Sequence, residues 1–252
     1  VTRLAIRLAQ RTCVGARAHN EDCLAIEHHG AHSCLVLSDG AGGHRQGALA
    51  AQLVVQRVIE GFRSRQPVDV RDLAELLLDA HDAVVAGQRD EAARGAASQM
   101  QATVVCLVID TENKVALWGH VGDSRLYQWR GGQLQSVTRD DSVLQWVLDT
   151  GLVHRTRAAE VRHGGVLLAA LGAEEEAAPH VAELQELEPA DAFLLCSDGW
   201  WGALDPPLIS RLLTEVGSPE EWLDAMLAHT TASADAFQDN HSAIACWIGE
   251  SH

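Results

Sequence analysis

The order of apolar segments along this chain predicts an α+β fold: two mainly antiparallel sheets packed together, with helices outside. Three observations predict it. Strand-like runs come first, then two helical segments, many short strands, two more helices and a last strand, so there is no βαβα alternation. Of the 252 residues 47% are hydrophobic but only 4% aromatic, enough for a sizeable core built from Leu, Val and Ala. No Pro-, Gly- or Ser-rich linker divides the chain, so residues 1–252 are expected to form a single domain.

Residues 4–9 and 23–28 read as strands, separated by the segment 15–22. His28-His29 before Gly30 places a hairpin, and 33–38 is a third, fully apolar strand. Beyond Gly40-Ala41-Gly42-Gly43, Leu49, Leu53, Val54, Val58, Ile59 and Phe62 recur at helical spacing. Pro67 ends the connection to a second helix, which carries Leu73, Leu76, Leu77, Ala80 and Val84 on one face. The stretch 86–99, rich in Ala, Gly, Gln and charge, is expected to be its frayed end and a loop. Strands follow at 102–109, 115–121 and 124–129, and Gly131-Gly132 turns the chain into 133–137. A short helix at 142–148 ends at Gly151. Residues 152–165 lack apolar periodicity and are expected to be a mobile surface segment. Strands return at 180–187 and 192–197. Helices at 206–216 and 219–230 are entered through Pro or Ser-Pro, and 242–248 is the last strand.

The formal net charge of -16 argues against nucleic acid or an anionic membrane surface as partner, since phosphates need a basic footprint. No apolar stretch has the length of a membrane span, and Val1-Thr2-Arg3-Leu4 lacks the apolar segment of a signal peptide. A soluble, cytoplasmic and monomeric protein is expected. The six cysteines show no zinc spacing; Cys34, Cys106, Cys196 and Cys246 sit in apolar runs as small hydrophobes of a reducing compartment. Thirteen histidines include no clustered pair at helical spacing.

Chemistry is concentrated in four acidic motifs: Asn20-Glu21-Asp22, Ser38-Asp39-Gly40, Ser197-Asp198-Gly199 and Asp239-Asn240. Two of them follow apolar runs, Cys34-Leu35-Val36-Leu37 and Phe193-Leu194-Leu195-Cys196, which puts a carboxylate at each strand end. Carboxylates converging at one end of a fold repel each other unless a cation lies between them. Asp39, Asp198, Asp239 and Glu21, with the Gly40 carbonyl, offer the hard oxygen donors that Mg²⁺ or Mn²⁺ prefer. A rival reading takes Gly40, Gly42, Gly43 and Gly47 as a dinucleotide loop. It fails because Asp39 would face the pyrophosphate and no βαβ alternation follows.

In this order the motifs resemble the metal-dependent protein phosphatases of type 2C, the PPM family, most of all its short bacterial members. The resemblance runs from about Gly15 to Ile248. It takes in Arg17-Ala18-His19-Asn20-Glu21-Asp22, Ser38-Asp39-Gly40-Ala41-Gly42-Gly43-His44, Ala102-Thr103, Gly122-Asp123-Ser124-Arg125, Thr138-Arg139-Asp140-Asp141-Ser142, Leu171-Gly172, Ser197-Asp198-Gly199 and Asp239-Asn240. It implies a PPM-type sandwich in α-β-β-α layers and hydrolysis of phosphoserine and phosphothreonine on proteins by a metal-activated water, without a phosphoenzyme. Two or three Mn²⁺ or Mg²⁺ ions are implied. Asp39 would bridge two of them, Glu21 and the Gly40 carbonyl would complete one shell, and Asp198 and Asp239 would hold the other ion. Asp22 would be a further carboxylate of the metal site, Asp123 would serve a third ion, and Arg17 would bind the substrate phosphate. An opposing bacterial Ser/Thr kinase is the implied partner.

Bland alternatives stand beside these roles. Asp123 is equally suited to capping its turn, Arg17 to pairing with Glu21 or Asp22, Asn240 to orienting Asp239, and Trp200-Trp201 to packing. The chain departs from the family at Ala41, where some members carry a histidine that protonates the leaving group, and His44 lies three residues on. It also departs at His163-Gly164-Gly165-Val166, in the variable flap. A catalytically silent member acting as a binding or regulatory module is the alternative, although such members lose ligand carboxylates that this chain retains.

Overall fold

The computed structural model describes residues 4–41, 45–65, 68–93, 100–154, 165–173, 177–232 and 238–250. The expected loop histidine His44, and residues 155–164 of the expected mobile segment, lie outside them.

Two antiparallel sheets form the centre. One has the order β1 (Leu4–Cys13), β12 (His241–Glu250), β11 (Asp191–Cys196), β7 (Arg125–Arg130), β8 (Gln133–Val137). The other runs β10 (Gln185–Glu186), β6 (Val115–Val121), β5 (Val104–Asp110), β3 (His32–Ala41), β2 (Asp22–His29). β4 (Gln101–Ala102) pairs with β3 and β9 (His180–Val181) with β6. The apolar runs become the interior because their alternate side chains face opposite ways and both faces are covered. Leu35, Leu37, Val105, Leu107, Phe193, Leu195 and Ile244 fill the space between the sheets. Val36, Cys106 and Val108 point outward under α1 (Arg45–Ser64) and α2 (Val70–Ala93). Leu194, Cys196 and Ala245 point the other way, under α5 (Pro206–Glu215) and α6 (Pro219–Ala232). The α-β-β-α layering follows.

The helix boundaries have local causes. Ser142 caps α3 (Val143–Asp149), its hydroxyl accepting from the Gln145 amide at 3.2 Å. Asp205 caps α5 in the same way through the Leu208 amide, ahead of two prolines. Two expectations are revised and one element is added. α2 continues to Ala93, through part of the stretch expected to fray; there the Gln88 side chain donates to the carbonyls of Met100 and Gly172, at 2.6 Å each. The expected strand 180–187 is two short pieces. Val181 faces Gly119 and Gln185 faces Ala116, so the outer chain carries one extra residue and bulges between them. A one-turn helix, α4 (Asp198–Trp201), follows β11 without any apolar period to announce it.

Candidate metal centre

The acidic motifs meet at one end of the sandwich. β3 delivers Asp39, and β2 begins with Asp22 directly opposite it in register. β11 ends at Cys196, so Asp198 opens α4, while Asp239 lies two residues before β12. Asp123 lies in the turn between β6 and β7, and Glu21 just before β2. A cavity of about 490 Å³ is lined by Arg17, Glu21, Asp39, Gly40, Asp123, Asp198 and Asp239. Of the residues implied to serve the metals or the phosphate, only Asp22 does not line it: its Oδ2 accepts from the Ser197 hydroxyl at 2.9 Å, behind the pocket.

Close backbone approaches bring these strand ends together. A β-carbon on Gly199 would lie 2.1 Å from the Asn240 carbonyl oxygen, so only glycine lets the Asp198 and Asp239 segments touch. A β-carbon on Gly47 would lie 2.0 Å from Glu21 Oε2 and 2.9 Å from the Gly40 carbonyl oxygen, so α1 packs against the Glu21 carboxylate and the Gly40 backbone only through glycine.

Polar side chains with no metal role implied by the sequence complete the frame. Thr103 Oγ1 accepts from the Asp39 amide at 3.0 Å, its own amide donates to the Asp39 carbonyl at 2.8 Å, and Ser38 Oγ donates to its carbonyl at 2.6 Å. Asn240 has a larger part than orienting its neighbour. Its amide donates to Asp239 Oδ1, while its carboxamide accepts from the Glu21 amide and donates to the carbonyls of Val14 and His19, all at 2.8–3.0 Å. It therefore ties the start of β12 to the loop that carries Arg17 and Glu21. Only the Asp-Asn dipeptide hinted at such a role.

Electrostatics set this pocket apart. Burial first, then the charges of Asp22, Asp198, Asp123 and Asp239, hold the Asp39 carboxyl well above the usual range. Asp123 is pushed up to about 7, chiefly by burial and then by Asp198. Asp22 is pushed up to about 6 by burial, against hydrogen bonds from Ser242 and Ser197. Asp198 is raised by burial and by Asp239. Asp22 Oδ1 and Asp198 Oδ1 are buried without a hydrogen-bond partner. Arg17, with its side chain 57% exposed at the rim, pairs with Asp239 at 2.6 Å rather than with Glu21 or Asp22.

Among the described residues no three His, Cys, Asp or Glu side chains close into a finished ligand cage. The donor set nevertheless fits a hard cation: the side chains are carboxylates, two of their buried oxygens are orphaned, and a positive charge would remove the mutual repulsion.

A family model described as Protein phosphatase 2C matches residues 9–231. The serine/threonine protein phosphatase PstP of Mycobacterium tuberculosis is 31% identical over 218 residues, which cover 86% of this chain. This chain spans only 40% of that relative's length. The protein phosphatase PhpP of Streptococcus pneumoniae is 26% identical over 233 residues, 89% of this chain and 87% of the relative. A crystal structure of the PstP catalytic domain in complex with two manganese ions superposes with a TM-score of 0.82 at 25% identity, covering 98% of this chain and 99% of the other. With the family match running from β1 into α6, this chain belongs to the protein phosphatase 2C family.

Proposed function

We propose that this chain is a metal-dependent protein serine/threonine phosphatase. The observation that carries the reading is a pocket of clustered, mostly buried carboxylates in which Arg17, at the rim, is the one cationic side chain among the described residues. Asp39, Glu21 and the Gly40 carbonyl would hold one Mn²⁺ or Mg²⁺, and Asp39, Asp198 and Asp239 a second, with Asp123 available to a third. Asp22 lies behind them and helps to seat Ser197. When bound, such ions supply an activated water and neutralise charge on the phosphoryl group.

The chain's own residues do the rest. Arg17 has the reach and the planar fork to take two phosphate oxygens at the mouth. The Gly199–Asn240 contact keeps the Asp198 and Asp239 segments in fixed relation. Hydrolysis without a phosphoenzyme agrees with the cysteines near the pocket, since burial pushes the thiols of Cys23 and Cys196 up, away from the reactive thiolate. A phosphoprotein substrate, an opposing Ser/Thr kinase, a monomeric state and a cytoplasmic setting complete the proposal. The setting is supported by six free cysteines, with Cys34 and Cys106 Sγ 3.6 Å apart and unbridged. No described helix is long and apolar enough to cross a membrane. The silent-module alternative loses its motive, because Glu21, Asp39, Asp198 and Asp239 are all present.

The test is turnover of p-nitrophenyl phosphate and of a phosphothreonine peptide with added Mn²⁺, with and without chelator. Metal-dependent release of phosphate is expected, and its absence from homogeneous protein would sink the reading.

A further inference from the structure

We infer that Trp201 is a positioning residue that fixes the Asp123 carboxylate relative to Asp198, and so sets the affinity of the cation position that Asp123 serves. The inference rests on the metal reading above. Trp201 lies three residues after Asp198, in the single turn of α4. Its indole N–H donates to the main-chain carbonyl of Asp123 at 2.9 Å. Indole has one donor and no acceptor, so this bond uses its whole polar capacity. One side chain therefore spans from the segment that carries Asp198 to the turn that carries Asp123.

The ring itself is held. The Arg125 guanidinium carbon lies 3.5 Å from the Trp201 ring centroid. Arg125 is in turn locked by a two-pronged bond to Asp140, at 2.8 and 2.7 Å, and by the Tyr127 hydroxyl at 3.2 Å. A second grip acts on the preceding residue: the Gly122 amide donates to Asp141 Oδ2 at 2.9 Å, and the Asp141 amide donates back to the Gly122 carbonyl at 2.9 Å. The Gly122–Asp123 turn is thus held from two sides, and Trp201 is the side that refers it to Asp198.

The neighbouring tryptophan provides the contrast. Trp200 is fully buried, packs beside the His241 ring at 6.1 Å, and leaves its indole N–H without a partner. It does packing work alone. Trp201 is only half-buried and aims its N–H at an acidic turn. Hydrogen-bond partners one step behind a metal ligand change metal affinity by about 10–100-fold when removed.

The experiment is a calorimetric Mn²⁺ titration of the intact native chain, Asp123→Asn, Trp201→Phe, and a chain with 3-benzothienylalanine placed at position 201 alone. The last keeps the indole shape and lacks the N–H, so it separates the hydrogen bond from packing if Trp201→Phe folds poorly. The expected result is about a tenfold weakening of the binding step that Asp123→Asn removes. The remaining steps stay within about twofold of native, and Trp201→Phe added to Asp123→Asn has no further effect on Mn²⁺ binding. Excess Mn²⁺ restores phosphatase turnover in the position-201 variants. Native-like isotherms for both variants overturn the inference, as does equal weakening of every step, which would make Trp201 a packing residue. If the native chain binds no Mn²⁺ at all, the metal reading fails and takes this inference with it. If the native chain binds and turns over while the variants match it, only the inference fails.

Discussion

Two groups of buried carboxylates in this molecule meet opposite fates. Asp191, at the start of the central strand β11 of the five-stranded sheet, has a fully buried side chain held by the Arg130 fork at 2.7 and 2.9 Å, and Asp140, just beyond β8, is held by Arg125. Around the pocket, Asp39, Asp123 and Asp198, with Asp22 behind them, are also withdrawn from solvent, yet their nearest charges are mainly one another. The first arrangement is complete within the chain. The second leaves orphaned oxygens and raised carboxyls. Burial of acid is thus not itself the sign of a functional site; burial of acid without a cationic side chain is.

The sharpest way to break this comparison is Asp39→Asn. Turnover is expected to fall by about a hundredfold to a thousandfold, the scale of losing one principal charge-stabilising group, and calorimetry should show weakened Mn²⁺ binding. In chelator the same variant should melt higher than native, because one repelling charge is gone. A lower melting temperature in chelator would place Asp39 with the structurally paired acids. Asp191→Ala should do the reverse. It leaves Arg130 with Glu188 and the Glu186 carbonyl only and costs about 2 kcal/mol of stability, the scale of charge-assisted hydrogen bonds, read from urea denaturation, while kcat per folded molecule is unchanged. Loss of kcat would show that the two acid groups are not separable.

Smaller effects sharpen the contrast. Arg17→Ala should raise KM for a phosphopeptide by about tenfold, the size of one charge-assisted contact, with Mn²⁺ affinity kept. Collapse of metal affinity instead would make the Arg17–Asp239 pair structural. Last comes pH. Asp22 and Asp123 sit at about 6 and about 7 in the folded protein, against 3.8 for an ordinary aspartate. Folded, metal-free protein therefore holds more protons than the unfolded chain across that interval, and its stability falls as pH rises through 6 and 7. A melting series in chelator should decline from pH 5 to pH 8, and added Mn²⁺ should flatten or reverse it. A rising series in chelator would contradict the raised carboxyls.

Much of this was legible in the residues, for physical reasons. Fully apolar runs such as Cys34–Leu37 and Phe193–Cys196, short and bounded by Ser-Asp-Gly, read as strands covered on both faces, and the structure places them in the two-sheet core. The strand-end acids were legible because Asp-Gly after such a run has few other places to be. The frame around them was not. Thr103, Ser197, Asn240 and Trp201 act through hydrogen bonds that span 64, 175, 219 and 78 residues, and no local pattern encodes a long-range bond. The pairing of Arg17 with Asp239 was missed for the same reason, since the nearer acids in sequence are not the nearer ones in space. β9 and β10 read as one strand because no Pro or Gly marks the break between them, and the extra residue shows only in their pairing to β6.

The Asn240 clamp bears on how the molecule comes to exist. β12 lies between β1 and β11, and Asn240 at its start holds the loop that presents Arg17 and Glu21, more than 200 residues upstream. Contacts of such long range form late, after the loop-closure entropy of the intervening chain has been met. On a ribosome, β1 must wait without its neighbour until β12 emerges. Growing chains would carry every acidic ligand but one and still lack a pocket, so the capacity to act on phosphate would arrive only with the final strand.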